Sequence, residues 1–88
     1  MERRQLTITN RLGLHGRAAA KLVSLCSRFR SRVVLFANGR RADGRHMIAL
    51  LMLCAAMGAV VSIEVNGPDE AQAISAVAHL ISNRFGEG

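Results

Sequence analysis

The chain has 88 residues, half of them hydrophobic, which is enough for one compact core and excludes a disordered polymer. Its net charge of +6 comes from twelve basic residues, all arginine except Lys21, while the only aromatics are Phe29, Phe36 and Phe85. An anionic partner suits that balance, but the arginines are scattered and lack the interleaved stacking rings of a nucleic-acid surface, so no nucleic acid is expected.

In chain order, Gln5–Asn10 alternates apolar and polar residues and predicts a half-buried strand with Leu6 and Ile8 inward. A turn over 10–13 follows. From Gly16 the period lengthens: Ala19, Leu22, Val23 and Cys26 fall at i, i+3, i+4 and i+7, which predicts a helix of about three turns ending near Arg28. Arg32–Ala37 reads as a strand, Asn38-Gly39 as a hairpin turn, and Arg40–Asp43 as the return strand. Met47–Leu53 is apolar on all sides and suits a short helix against the sheet, with some of its surface left uncovered. Gly58 precedes a last alternating strand, Val60–Asn66, with Val61, Ile63 and Val65 inward. Gly67-Pro68-Asp69-Glu70 opens a final helix whose buried stripe is Ile74, Val77, Ala78, Ile81 and Phe85. The order β-α-β-β-α-β-α implies an α/β two-layer sandwich, expected as a single domain over residues 1–88.

Cys26 and Cys54 make neither a disulfide framework nor a metal motif, and no metal or cofactor is expected. No apolar stretch follows the charged start of the chain, and the greasiest run, residues 47–61, is shorter than the roughly 20 residues of a membrane span. The expectation is a cytoplasmic protein without membrane insertion.

The chemistry concentrates at Gly13-Leu14-His15-Gly16-Arg17, where a loop enters a helix. The first amides of that helix lack intrahelical acceptors, and together with the helix dipole they favour an anion. Gly16 lets an anion approach the backbone, and the planar fork of Arg17 matches phosphate oxygens. His15, set among donors and expected to be neutral there, is a candidate nucleophile for a phosphoryl group. On these residues alone, a surface or capping histidine remains the alternative, and a basic binding module for an acidic partner or nucleic acid remains the alternative function.

Gly13-Leu14-His15-Gly16-Arg17-Ala18-Ala19 resembles the active-site segment of the HPr family, the histidine phosphocarriers of the bacterial phosphoenolpyruvate-dependent phosphotransferase system. The resemblance runs over nearly the whole chain. It is closest to the nitrogen-branch paralogue NPr through Ile8-Thr9-Asn10-Arg11-Leu12-Gly13 and Ile48-Ala49-Leu50-Leu51-Met52-Leu53. It implies an open-faced sandwich with a four-stranded antiparallel sheet in order 1-4-2-3 and three helices on one face. It implies no enzyme but a carrier: His15 takes a phosphoryl group from an enzyme I-type phosphotransferase and gives it to an EIIA-type acceptor protein. Arg17 and the Gly16 amide would stabilise the phosphate. Leu14, Ala20, Met47, Ile48, Leu51 and Met52 would form the docking surface of a monomer. Three positions depart from the family pattern: Gly16, where a larger residue is usual; Ala18, where proline is usual; and His46, where many sugar-branch members carry a serine that a regulatory kinase phosphorylates. His46 and His79 are expected to be surface or structural residues.

Overall fold

The structure, a computed structural model, describes residues 1–87. Its elements are β1 (Glu2–Thr7), α1 (Gly16–Cys26), β2 (Arg32–Ala37), β3 (Arg40–Asp43), α2 (Met47–Met52), β4 (Val60–Asn66) and α3 (Glu70–Ser82), followed by a short 3-10 turn at Arg84–Gly86. The four strands form one antiparallel sheet in the order β1-β4-β2-β3, as the resemblance implies.

β4 takes the centre because its alternation is the most strongly apolar: Val61, Ile63 and Val65 have no exposed surface. Ile63 stands opposite Leu35 of β2 on one side and opposite Arg4 of β1 on the other. The inward row continues through Val33, Leu35 and Ala37, and onto it pack Ala19, Leu22 and Cys26 of α1, Leu50 of α2, and Ala73, Ile74, Val77 and Ile81 of α3. The alanines let helix backbones approach the sheet, while Leu22, Leu50 and Ile81 fill the space between. β1 and β3 are the edges, and both carry arginine, which discourages a further strand from adding. Asn38 (φ 54°) and Gly39 (φ 74°) are both left-handed, the conformation that joins two twisted strands through two residues.

Two boundaries differ from the pattern reading. β1 spans Glu2–Thr7 rather than Gln5–Asn10, because an edge strand with a solvated face tolerates Glu2, Arg3 and Arg4. Ile8 is buried as expected, but it exchanges backbone hydrogen bonds with Gly58 and Ala59 in a loop instead of with β4. Phe85 is wholly buried, yet it lies beyond α3, in a turn where its own φ is 54°.

Both cysteines are reduced. Burial pushes the Cys26 thiol up to about 12, with Asp43 adding to the rise and Arg45 opposing it, so this sulfur is a packing atom. Cys54 is exposed.

Asp69 ties the start of α3 to the loop before β2. Its carboxylate accepts from the Ser31 hydroxyl and from the backbone N–H groups of Arg30 (2.9 Å) and Ser31 (2.8 Å). The Ser31 hydroxyl, then the Arg30 and Ser31 amides, hold this carboxyl below the usual carboxylate range. A lowered folded-state pKa means that the contribution is present above the unfolded value of about 4 and is lost as pH falls through the folded value. Denaturant titrations at a series of pH values should therefore show the wild type losing stability more steeply below about pH 4 than Asp69→Asn. Parallel curves would contradict this role.

Candidate functional site

The site is the loop that delivers the chain from β1 into α1. Asn10 is buried there, and its Nδ2 donates to the Gly13 carbonyl (2.8 Å). Gly13 has φ +65°, and a Cβ on it would sit 2.5 Å from the carbonyl oxygen of Ala55 and 2.8 Å from Cα of Ala56, so only glycine fits. Leu14 N–H then donates to the Ala55 carbonyl (2.8 Å), pinning this loop to the one that follows α2.

His15 is the N-cap of α1, with extended backbone (φ −88°, ψ −178°), and its carbonyl accepts the first helical bond, from Ala19 N–H (2.8 Å). The His15 side chain makes no capping hydrogen bond, none reaches the first-turn amides from another side chain among the described residues, and no acidic residue stands in the first turn. An uncapped start of this kind presents free N–H groups and the positive end of the dipole. Gly16 is exposed, and a Cβ there would meet nothing within 4 Å, so the space above the first turn is open. Arg17 is exposed, and among the described residues no ion pair or hydrogen bond holds its guanidinium. Ala18, where proline is usual in the family, is fully buried, and the helix starts at Gly16 without it.

The imidazole of His15 is a quarter exposed and is held at both nitrogens. Nδ1 lies 3.0 Å from the Gly13 carbonyl oxygen, and Nε2 lies 3.0 Å from Oε2 of Glu87. The other oxygen of Glu87 accepts from Asn10 Nδ2 (3.1 Å). The local sequence places only positive neighbours around this ring, whereas in the fold a carboxylate touches it. Asn10 and Glu87 were both missed. An asparagine in a turn-forming stretch reads as loop chemistry, and nothing in a periodicity relates residue 87 to residue 15.

Of the residues expected to dock partners, Ile48 (73% exposed), Met52 and Met47 present their side chains to solvent, Ala20 is exposed on α1, and Leu51 is half-buried. Leu14 is different: it is only 6% exposed and belongs to the core, so its side chain is not part of an open surface. It occupies the position just before an N-cap, where an apolar side chain staples the incoming loop to the helix. Leu12 and Met57 are exposed instead, on the two loops that Leu14 joins. The end of α2 is fastened by Asn38 Nδ2, which donates to the carbonyls of Leu53 (2.8 Å) and Cys54 (3.0 Å), and by Arg40, which donates to the carbonyl of Met52 (2.8 Å). His46 is the exposed N-cap of α2, and His79 is an exposed residue of α3. Among the described residues no group of three or more His, Cys, Asp or Glu side chains could hold a metal ion, and no helix is long and apolar enough to cross a membrane.

A family profile described as "PTS HPr component phosphorylation site" matches residues 2–83. The chain is 48% identical over 88 residues to the phosphocarrier protein HPr of Cupriavidus necator, covering 100% of this chain and 99% of the relative. It is 42% identical, at the same coverage, to the phosphocarrier protein HPr of Neisseria meningitidis. Among solved structures, an HPr from Thermoanaerobacter tengcongensis superposes with a TM-score of 0.95 at 32% identity, covering 100% of this chain and 99% of that one.

The two glycines of the loop should respond oppositely to a methyl group. Gly13→Ala, with a left-handed φ and a backbone contact at 2.5 Å, should lower stability by at least about 1–3 kcal/mol and disturb the His15 ring. Gly16→Ala, at an ordinary φ with open space, should raise it by about 0.4–1 kcal/mol. Thermal denaturation of the two variants checks the pair; equal effects would contradict the loop geometry.

Proposed function

The chain belongs to the HPr family of phosphocarrier proteins, and from that premise we propose that His15 accepts a phosphoryl group from an enzyme I-type phosphotransferase and passes it to an EIIA-type acceptor protein. The observation that carries this reading is the position of the ring. His15 sits at the entry to α1, whose first turn carries no acidic residue, beside open space above Gly16 and an Arg17 that is unpaired among the described residues, with Glu87 in contact at Nε2. Phosphoryl transfer asks a protein mainly for positioning and charge stabilisation. The first amides of α1, that of Gly16 included, and the Arg17 guanidinium are donors that require no rearrangement of the fold to meet a phosphate.

Docking falls to the exposed part of α2, Met47, Ile48 and Met52, with Leu51 and with Ala20 of α1. Methionine and leucine side chains adapt to more than one partner surface, which suits a carrier that meets a donor and an acceptor in turn. Leu14 supports this surface from below. The arginines add long-range attraction for acidic partner faces. The carrier acts in the cytoplasm as a monomer.

For the branch, the nitrogen or regulatory pathway is the leading reading. His46 stands where the serine regulated in many sugar-branch members would be, at the exposed N-cap of α2, and cannot take that modification. The sugar branch is the second reading, favoured by the HPr name that the relatives carry.

Incubation with an enzyme I-type protein and phosphoenolpyruvate should add one acid-labile phosphoryl group to the wild type and none to His15→Ala, read by intact mass at neutral pH. Equal loading of the two, or none of either, would overturn the proposal. Arg17→Ala should load about 10–100-fold more slowly, the factor a charge-assisted hydrogen bond supplies. Handover from the loaded protein to a nitrogen-type rather than a sugar-type EIIA domain decides the branch.

A further inference from the structure

The helices cover one face of the sheet, and the other face has a side-chain pattern of its own. Alternation and register fix which residues share it. Arg3 of β1, Glu64 of β4, Val34 of β2 and Asp43 of β3 stand in one row across the strands, and Gln5, Ser62, Phe36 and Arg41 stand in the next. Val60 and Asn66 extend the face along β4, and Arg32 stands opposite Asn66. Phe36 is half-buried and Val60 is exposed, yet neither packs against the core, and Val34 is covered without joining it. This face therefore has an apolar middle that the protein's own helices do not use.

The arginines that are scattered in sequence come together around that middle. Two hollows share Glu64 as a wall: Arg3, Arg4, Phe36 and Ser62 line one, and Arg32, Val34, Arg41 and Asn66 line the other. Both carboxylates of the face are already taken, Glu64 by Arg3 (2.7 Å) and Asp43 by Arg32 (3.8 Å). Arg4 and Arg41 hold no ion pair or side-chain hydrogen bond among the described residues. An apolar centre within a charged rim is the anatomy of a protein interface, and the charge that this rim has to spare is positive.

The dimensions select the occupant. Val60 and Asn66 stand about 20 Å apart along β4, the length of a helix of roughly 13 residues. β1 and β3 are three strand spacings apart, about 14 Å, so a helix about 10–12 Å across fits between their arginines. Nucleic acid would find one ring here in place of a stacked series, and a bilayer would find hollows and a carboxylate in place of a flat cationic plane. A helix with one apolar stripe and acidic flanks meets both features of the face, the stripe on Phe36, Val34 and Val60 and the carboxylates at Arg4 and Arg41.

We propose that the uncovered sheet face docks an acidic amphipathic helix of a partner protein. The face lies on the far side of the sheet from the helix layer that carries His15, so the bound carrier keeps its transfer site and the exposed part of α2 free. The partner thus rides on the carrier without competing for the phosphoryl group.

The probe is a capped peptide of roughly 15 residues, built from leucine, alanine and glutamate with leucine at i, i+4 and i+7 on one face and glutamate on both flanks. It is titrated into isotope-labelled protein and followed by NMR. Amide shifts should centre on Phe36, Arg41 and Ser62 and leave α2 unmoved. Arg41→Glu should weaken binding about three- to tenfold, because an exposed ion pair is lost and a repulsion takes its place. Arg28→Glu makes the same charge change in the helix layer, beside Lys21 and Leu80, and should alter binding less than about twofold. A peptide of the same composition with its leucines scattered around the helix should bind more weakly than the striped one. Shifts centred on Met47–Met52, equal weakening by the two variants, equal binding of the two peptides, or no saturation at about 1 mM peptide would each overturn the proposal. None of these readouts involves His15, so failure here leaves the carrier reading standing.

Discussion

Three donors converge on the carbonyl oxygen of Gly13: the Asn10 side-chain amide, the His15 backbone N–H and, when protonated, Nδ1 of the His15 ring. The oxygen points where it does because Gly13 is left-handed and lies flat against the backbone of Ala55 and Ala56, a place closed to any Cβ. Everything at the site hangs from that acceptor. It turns the loop from β1 toward α1, sets His15 in an extended conformation as N-cap, and leaves the first turn of α1 open to solvent. The neighbouring Leu14 carries the constraint into the core, through its bond to Ala55 and its buried side chain. Asn10, by contrast, keeps an unpartnered Oδ1 among the described residues, a cost accepted where its Nδ2 serves two acceptors at once.

The rest of the fold supplies a frame for this loop and a surface beside it. One sheet face is fully packed by three helices, and β4 at its centre contributes only buried aliphatic side chains inward. α2 is held at its end by the β2–β3 turn, so its exposed Met47, Ile48 and Met52 stand on a rigid support near a loop that is itself pinned. A carrier needs this combination, since productive geometry for transfer must be recreated with each partner without refolding. The alanines at 18, 19 and 20 fit the same demand: two are packed wholly inside, and the third is small enough to let a partner approach α1.

Periodicity made most of the frame legible. β2 and β3 have the limits read on either side of the Asn38-Gly39 turn, β4 has those its alternation indicates, α1 buries Ala19, Leu22 and Cys26 of its stripe with Val23 half-buried, and α3 buries Ile74, Val77, Ala78 and Ile81. His15, Gly16 and Arg17 stood out because a helix start with a histidine, a glycine and an arginine is a local pattern with local chemistry. The failures at the site share one cause, which is contact between residues far apart in sequence. Asn10 and Glu87 meet across 77 positions, and Ser31 and Asp69 across 38. Leu14 looked like a surface residue beside a reactive histidine, and only the loop from Ala55 shows why it turns inward. Phe85 was rightly placed in the core but on the wrong element, since its burial is shared by a helical stripe and by the turn that follows it.

Exposure does not single out His15. His46 and His79 are both more open to solvent, and a reagent guided by access alone would choose them first. What sets His15 apart is its fixed ring, the helix start it stands at and the Arg17 guanidinium, unpaired among the described residues. The most direct measurement is phosphate mapping by mass spectrometry on the protein isolated from growing cells and kept at neutral pH. The account predicts a phosphoryl group on His15 and none on the other two histidines. Phosphate on His46 or His79, with His15 unmodified, would contradict it.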